Sequence, residues 1–335
     1  SLHDALPILI SCNSRNNEEE DLNDIKIGIS VYEQDDIFIS SIISNIENIT
    51  KEKRSEGSYS ITLNVEDAKS NQYNQNEQVD MFIDQGYDVM CINLVDRRSA
   101  ATIINKAKNA NIPVIFFNRE PVEEDMNMWN KVYYVGAQAE QSGMMQGDIV
   151  IEKYKNNPSD VDKNGDGKIQ YVMLEGEQGH QDASIRTEYS IKRLVDNGIK
   201  VEKLGSEVAN WSRTEASEKV ARWIEKYNDK VELIISNNDD MALGAIDVLN
   251  KSKIKNNMPL IVGVDGIKDA FKAIDNGEMT GTVISDAYKQ GKAIFDTALR
   301  VSSESILDKD NGIDTRYIRI PHVIVTKENV GEYIR

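Results

Sequence analysis

The sequence predicts an α/β protein made of two doubly wound parallel-sheet domains, and three observations carry that prediction. The chain has 335 residues, beyond the roughly 250–300 at which a single hydrophobic core stops growing. From Ile25 onward, short β-branched runs alternate with amphipathic stretches of helical period, the pattern of stacked βαβ units. The alternation then runs through two successive series, each long enough for a sheet of its own.

The first series reads as strands at Lys26–Val31, Ser58–Val65, Val89–Leu94, Pro113–Phe117 and Lys131–Val135. The second reads as strands at Ile169–Leu174, Val201–Glu207, Leu233–Ser236, Leu260–Val264 and Gly281–Ile284. Helices between them carry one apolar face, as in Phe38–Ile49 and Met241–Leu249, which suits packing on a sheet. Cys91, inside Val89-Met90-Cys91-Ile92, is read as a small buried hydrophobe. Residues 1–24 are set apart from the fold. Leu9-Ile10-Ser11-Cys12 ends a short apolar stretch and precedes the polar run from Asn13 to Asp24, so it resembles a bacterial lipobox with Cys12 as the lipidated residue. Ser1 to Pro7 looks foreign to a signal peptide, and the segment is read as a truncated lipoprotein signal followed by a linker.

Composition narrows the function. A formal net charge of -17 with no basic stripe argues against nucleic acid as a partner. No stretch approaches the roughly 18 apolar residues of a membrane span. There is no Gly-x-Gly-x-x-Gly after a strand, no Walker loop, no Gly-x-Ser-x-Gly elbow and no His-Glu-x-x-His, so dehydrogenases, nucleotide hydrolases, serine hydrolases and zinc proteases lose support. The histidines are His3, His180 and His322, and none has a cysteine partner for a triad or a zinc site.

Open parallel sheets bind ligands outside the carboxyl ends of their strands. Polar residues gather there: Asp35-Asp36, Asn93, Asp96, Asn118, Asn237-Asn238-Asp239 and Asp265. Any one of them can equally serve as a helix N-cap. The sharpest local motif is Asp162-Lys163-Asn164-Gly165-Asp166-Gly167-Lys168-Ile169-Gln170. Oxygen-bearing side chains at its first, third and fifth positions, glycine at the sixth and a backbone carbonyl at the seventh match the first half of an EF-hand calcium loop. Met173 stands where the usual twelfth-position Glu would be, and Ile169–Leu174 reads as a strand, so a bidentate carboxylate has to come from elsewhere. An Asp/Asn/Gly surface turn is the simpler alternative.

With this loop, the chain resembles the periplasmic galactose/glucose-binding proteins of the ribose-binding type. The resemblance covers essentially residues 25–335. Its segments are Tyr32-Glu33-Gln34-Asp35-Asp36-Ile37-Phe38, Ile92-Asn93-Leu94-Val95-Asp96, Phe116-Phe117-Asn118-Arg119-Glu120-Pro121, Gly176 to Ala183, Asn237-Asn238-Asp239 and Gly263-Val264-Asp265. It implies a type I periplasmic binding protein fold with no enzymatic activity. Sugar contacts are implied at Asp36, Phe38, Asn118, His180, Asp182, Arg186, Trp211, Asn238 and Asp265, with Ser285 standing where the family has Asn. Calcium ligands are implied at Asp162, Asn164, Asp166, the Lys168 carbonyl, Gln170 and Glu232, the last supplying the missing carboxylate.

The family crosses between lobes three times, which places hinges near Val135–Ala137, Ser285–Ala287 and Ile320–His322. One lobe then takes residues 25–135 and 287–319, and the other takes 136–286 and 320–335 with the calcium loop. D-galactose or D-glucose is the implied ligand. The implied partners are the permease and ATPase of an ATP-binding cassette importer, with a chemoreceptor as a further candidate. The implied state is an exported monomer in the periplasm or on the outer face of the cell membrane, lipid-anchored at Cys12.

The chemistry suits a hexose. Its hydroxyls both donate and accept and its C–H faces are weakly apolar, so Asp, Asn and Arg serve the ring edge while Phe38 and Trp211 serve its faces. Taken alone, Trp211 would pass for a packed aromatic and Arg186 for a surface helix charge. Three rivals share the scaffold. A LacI-type repressor would need a helix-turn-helix before Ile25, where an acidic linker stands. A glycosidase would use a carboxylate pair such as Asp36 with Asp182. A receptor of the same fold could sense only, or bind another monosaccharide.

Overall fold

The computed structural model describes residues 24–57, 60–252, 258–302 and 316–334. Cys12 and Ser58 lie outside the described residues, so the lipidation reading and the start of the second expected strand are not addressed by it.

The first lobe begins with β1 (Asp24–Val31), α1 (Ile37–Ser55) and β2 (Ser60–Asp67). It continues through α2 (Gln72–Asp84), β3 (Val89–Ile92), α3 (Ala100–Ala110), β4 (Val114–Phe117), the short α4 (Glu123–Met126) and β5 (Val132–Gly136). The second lobe opens with α5 (Ala139–Asn156), β6 (Ile169–Glu175), α6 (Gln181–Asp196), β7 (Val201–Val208) and α7 (Arg213–Tyr227). It goes on through β8 (Leu233–Ser236), α8 (Asp239–Lys251), β9 (Leu260–Asp265), α9 (Lys268–Asp275) and β10 (Gly281–Ile284). Then α10 (Ala287–Ser302) and β11 (Tyr317–Arg319) return to the first sheet, and β12 (Val323–Thr326) closes the second.

The two six-stranded sheets run β11-β5-β4-β3-β1-β2 and β12-β10-β9-β8-β6-β7. Within each, alternate side chains of the central strands face opposite helix layers, as the two-residue period of a strand requires. Ile27, Ile29, Cys91, Ile115 and Phe117 pack toward α1 and α10, while Met90, Ile92, Val114 and Phe116 pack toward α2 and α3. In the second sheet Val172, Leu174 and Ile234 face α7 and α8, and Met173, Ile235 and Val262 belong to the cluster of α5 and α6. Both faces being covered, β3, β4 and β8 are buried throughout, which is why they read as unbroken apolar runs. Burial pushes the Cys91 thiol up to about 12, consistent with an inert core residue.

One expectation is corrected. The second sheet is not wholly parallel, because β12 runs antiparallel to β10. The cause is topological. β11 runs parallel to β5 and therefore ends at the cleft, and only Ile320 to His322 separate it from β12. With no helix to carry the chain back to the far end, β12 starts at the cleft and runs away from it. The other passages between the sheets lie between β5 and α5 and between β10 and α10. Gly136 fits the first of these because a side chain there would meet the Tyr134 hydroxyl at 2.1 Å.

Candidate functional site

Each sheet reverses strand order beside the strand that opens its lobe, β1 against β3 and β6 against β8, and the loops leaving these switch points face one another. From the first lobe come Asp36 and Phe38 at the start of α1 and Asn118 after β4. From the second come His180, Asp182 and Arg186 around the start of α6, Trp211 before α7, Asn238 before α8 and Asp265 at the end of β9. All of them line one cavity between the lobes. Its inner part encloses about 30 Å³. Past Asp36, Phe38 and Trp211 it opens into an outer part of about 270 Å³.

The lobe walls are held by their own caps. Asp36 accepts from Ile39 N–H at 2.9 Å and from the Tyr32 hydroxyl at 2.6 Å. Asn238 Oδ1 accepts from Met241 N–H at 3.0 Å. Asn238 Nδ2 also donates to the Trp211 carbonyl at 3.4 Å. The capping and ligand readings of these residues are compatible, because each caps a helix and also lines the cavity, where a carboxylate or amide oxygen can accept more than one hydrogen bond. Three lining residues sit at positive φ, Asn118 at 60°, Trp211 at 63° and Asp265 at 120°. Such backbone costs of order 1–3 kcal/mol per residue and is characteristic of sites that must aim side chains. Gly176 permits the Trp211 placement, since a side chain there would meet the indole at 2.1 Å. The indole in turn lies edge-on to His180, with centroids 5.0 Å apart.

The electrostatics leave unused capacity in the cavity. Asp265 is 8% exposed, and among the described residues its carboxylate has no hydrogen-bond partner. Burial raises its proton affinity well above the usual carboxylate range, against the pull of Arg186. Asp182 is raised for the same first cause, although the Arg186 guanidinium lies 3.5 Å away. Arg186 donates to the Asn237 carbonyl at 2.9 Å and keeps a buried Nε with no partner among the described residues. His180 is held neutral, well below its ordinary range, by burial and then by the positive charges of Arg119, Arg186 and Arg97. Its Nδ1 accepts from Asp182 N–H at 3.1 Å, so the ring proton sits on Nε2, a neutral donor. Paired acceptors, amide groups, a guanidinium, a neutral imidazole N–H and two aromatic plates are what an uncharged polyhydroxylated ring needs.

Ser285 is the one expected contact that does not line the cavity. It is buried behind Asp265, donating its N–H to the Asp265 carbonyl at 3.0 Å, and its hydroxyl accepts from Gln290 at 2.9 Å.

The expected metal ligands form a closed loop at the far end of the second sheet. Asp162 accepts from the N–H groups of Gly165, Asp166 and Gly167, and Asp166 accepts from Lys168 N–H at 3.0 Å. Asn164 Nδ2 donates to Gln170 Oε1 at 2.9 Å, and Gln170 Nε2 donates to Asp166 at 2.8 Å. Fully buried Glu232 accepts from the N–H groups of Lys163, Asn164 and Gln170. The distant carboxylate thus does reach the loop. Among the described residues, however, no three carboxylate, imidazole or thiol groups converge as a metal centre. A fit to Ca²⁺ asks for rotation of the Asn164 and Gln170 amides, which exchanges their N–H₂ groups for oxygens without moving the backbone.

A family model described as periplasmic binding protein domain matches residues 27–304. The chain belongs to that family. It is 39% identical over 316 residues to the D-galactose/methyl-galactoside binding periplasmic protein MglB of Haemophilus influenzae, covering 93% of this chain and 92% of the relative. It is 27% identical over 309 residues to the xylitol-binding protein of Mycolicibacterium smegmatis, covering 91% and 78%. Among solved structures it is similar to an ABC transporter solute binding protein from Bacillus halodurans with bound myo-inositol, at a TM-score of 0.77 and 26% identity, covering 92% and 97%. The fold is that of type I periplasmic binding proteins, and the chain is a binding protein rather than an enzyme.

The fold of this periplasmic binding protein also brings to the cavity residues that no single segment advertises. Tyr32, Ile39 and Arg119 also line it and were not singled out from the sequence. Their signal was position: Tyr32 follows β1 and Arg119 follows Asn118 at the end of β4. No helix among the described residues is long and apolar enough to cross a membrane.

Proposed function

We propose that this periplasmic binding protein is the hexose receptor of an ATP-binding cassette sugar importer, taking D-galactose or D-glucose between its lobes. The observation that carries the reading is the interlobe cavity in which Asp265, Asp182 and Arg186 keep unfilled hydrogen-bonding capacity beside Trp211 and Phe38. The 39% identical relative, named for D-galactose and methyl-galactoside, supports the choice of sugar. A ligand bound to both walls favours the closed arrangement by its differential affinity, and the three passages between the sheets act as the hinge. Closure is the shape that the importer's permease and ATPase, or a chemoreceptor, would read. Cys12 would anchor the exported chain through a lipid.

Calcium is part of the same proposal. Asp162, Asn164, Asp166, Gln170, Glu232 and the Lys168 carbonyl would hold it, and it would supply stability to the second lobe without touching the sugar.

A second reading, in which the cleft is tuned to another small polyol, draws on Ser285 lying outside the cavity and on relatives named for other ligands. Thermal melting against a panel of D-galactose, D-glucose, D-ribose, D-xylose, xylitol and myo-inositol separates the two. The expected outcome is stabilisation by at least one of the two hexoses and less by the others. Stabilisation by a polyol alone overturns the hexose reading.

A further inference from the structure

The cavity has a second neighbour that the sugar contacts leave unexplained. On the side away from Phe38, a groove of about 860 Å³ runs between the lobes, lined by Arg97, Arg98 and Glu120 of the first and by Gln178, Gln181 and Glu177 of the second. Arg119, His180 and Asp182 line both spaces and so form the partition between them.

Arg119 is built as a movable part of that partition. Its guanidinium lies 3.6 Å from the centre of the Tyr32 ring, and Nη1 donates to the Val95 carbonyl at 2.9 Å. These contacts keep it on the first lobe. Nη2 reaches across the cleft to Glu177 of the second lobe at 2.6 Å. The pair is asymmetric: the Arg119 side chain is 7% exposed and that of Glu177 is 43% exposed. Arg119 Nε is buried with no partner among the described residues, a donor left over at the boundary. Through Tyr32, whose hydroxyl donates to Asp36 at 2.6 Å, the same guanidinium steadies a sugar-facing carboxylate.

We propose that Arg119 and Glu177 form a specificity gate between the sugar chamber and the groove. Shut, the ion pair confines the ligand to a single hexose ring. Released, it lets the aglycone of a hexose glycoside extend into the groove, where amide and guanidinium groups meet its polar atoms. This rests on the hexose reading of the chamber. Arg119 and Glu177 act as positioning residues that set ligand size and the rate of release.

The test compares wild type with Glu177→Gln, which removes the charge at a half-exposed site and preserves shape. Arg119→Lys, which keeps the charge and loses the planar stack on Tyr32, is the second variant. Release of D-galactose and D-glucose is followed by stopped-flow tryptophan fluorescence, and affinities for them and for nitrophenyl galactoside by calorimetry. In Glu177→Gln the hexose should leave about tenfold faster, as expected when a cross-interface charge pair is broken. The affinity ratio of the nitrophenyl glycoside to D-galactose should rise about tenfold, with the ligand-free melting temperature unchanged and Arg119→Lys moving the ratio the same way. Hexose binding by wild type with an unchanged ratio in both variants overturns the gate alone, even if all ligands weaken together. Failure of wild type to bind either hexose overturns the reading of the chamber and the gate with it.

Discussion

The cleft and the Asp162 loop are both built from carboxylates and amides, yet they use them in opposite ways. In the loop, Asp162, Asp166 and Glu232 are each taken up by backbone N–H groups, so the segment is fixed by its own polar chemistry. In the cleft, Asp265 has no hydrogen-bond partner to its carboxylate among the described residues, Arg186 retains an idle Nε, and Asn118, Trp211 and Asp265 hold costly backbone. A loop whose carboxylates are tied to its own backbone serves stability, which a bound metal would reinforce, and a cleft that leaves buried capacity open presents it to a ligand.

The largest effect should come from Asp265→Ala. D-galactose affinity should fall about a thousandfold, ~4 kcal/mol, while the ligand-free protein melts no lower, because a lone buried carboxylate is removed. A large fall in melting temperature would break the comparison by showing that Asp265 is structural. Glu232→Gln is the converse. Isothermal denaturation should show ~2–3 kcal/mol less stability, from three N–H groups, the buried one of Gln170 among them, losing a charged acceptor, with hexose affinity within about twofold of wild type. Trp211→Ala should weaken hexose binding by about tenfold, or ~1.5 kcal/mol, in calorimetry and leave the loop untouched.

The smallest effect is a pH response. His180 is held neutral in the folded protein well below its ordinary 6.5, so its protonation state does not change between pH 8 and 6. The change in hexose affinity across that range should therefore be the same in His180→Asn as in wild type to within about twofold, whatever the raised carboxyls of Asp265 and Asp182 contribute to both. The sign for stability is separate: the unfolded chain takes the proton first, so His180 costs stability only as pH falls below about 6.5 toward its folded value. Affinity lost on crossing 6.5 by wild type but not by His180→Asn would contradict the neutral tautomer.

Much of this contrast was legible in the sequence. The central strands are unbroken apolar runs with polar residues at their ends, and a doubly wound sheet turns that pattern directly into a cleft. Met173 at the twelfth position of the loop called for a remote carboxylate, the family resemblance supplied Glu232, and Glu232 does reach the loop. Illegible were features set by contacts between the lobes and by sheet edges. Arg119 is paired with Glu177 of the other lobe, 58 residues away in the chain. Ser285 occupies an expected contact position, but Gln290 takes its hydroxyl. β11 and β12 are edge strands of three and four residues, and the direction of β12 follows from the passage that precedes it.

The most direct test is a calorimetric titration of the protein with D-galactose and D-glucose, run once with calcium and once with chelator, followed by melting of both samples. The account predicts saturable one-to-one hexose binding of similar affinity in both, with a lower melting temperature in chelator. No heat with either hexose, or hexose binding that vanishes with the metal, would contradict it.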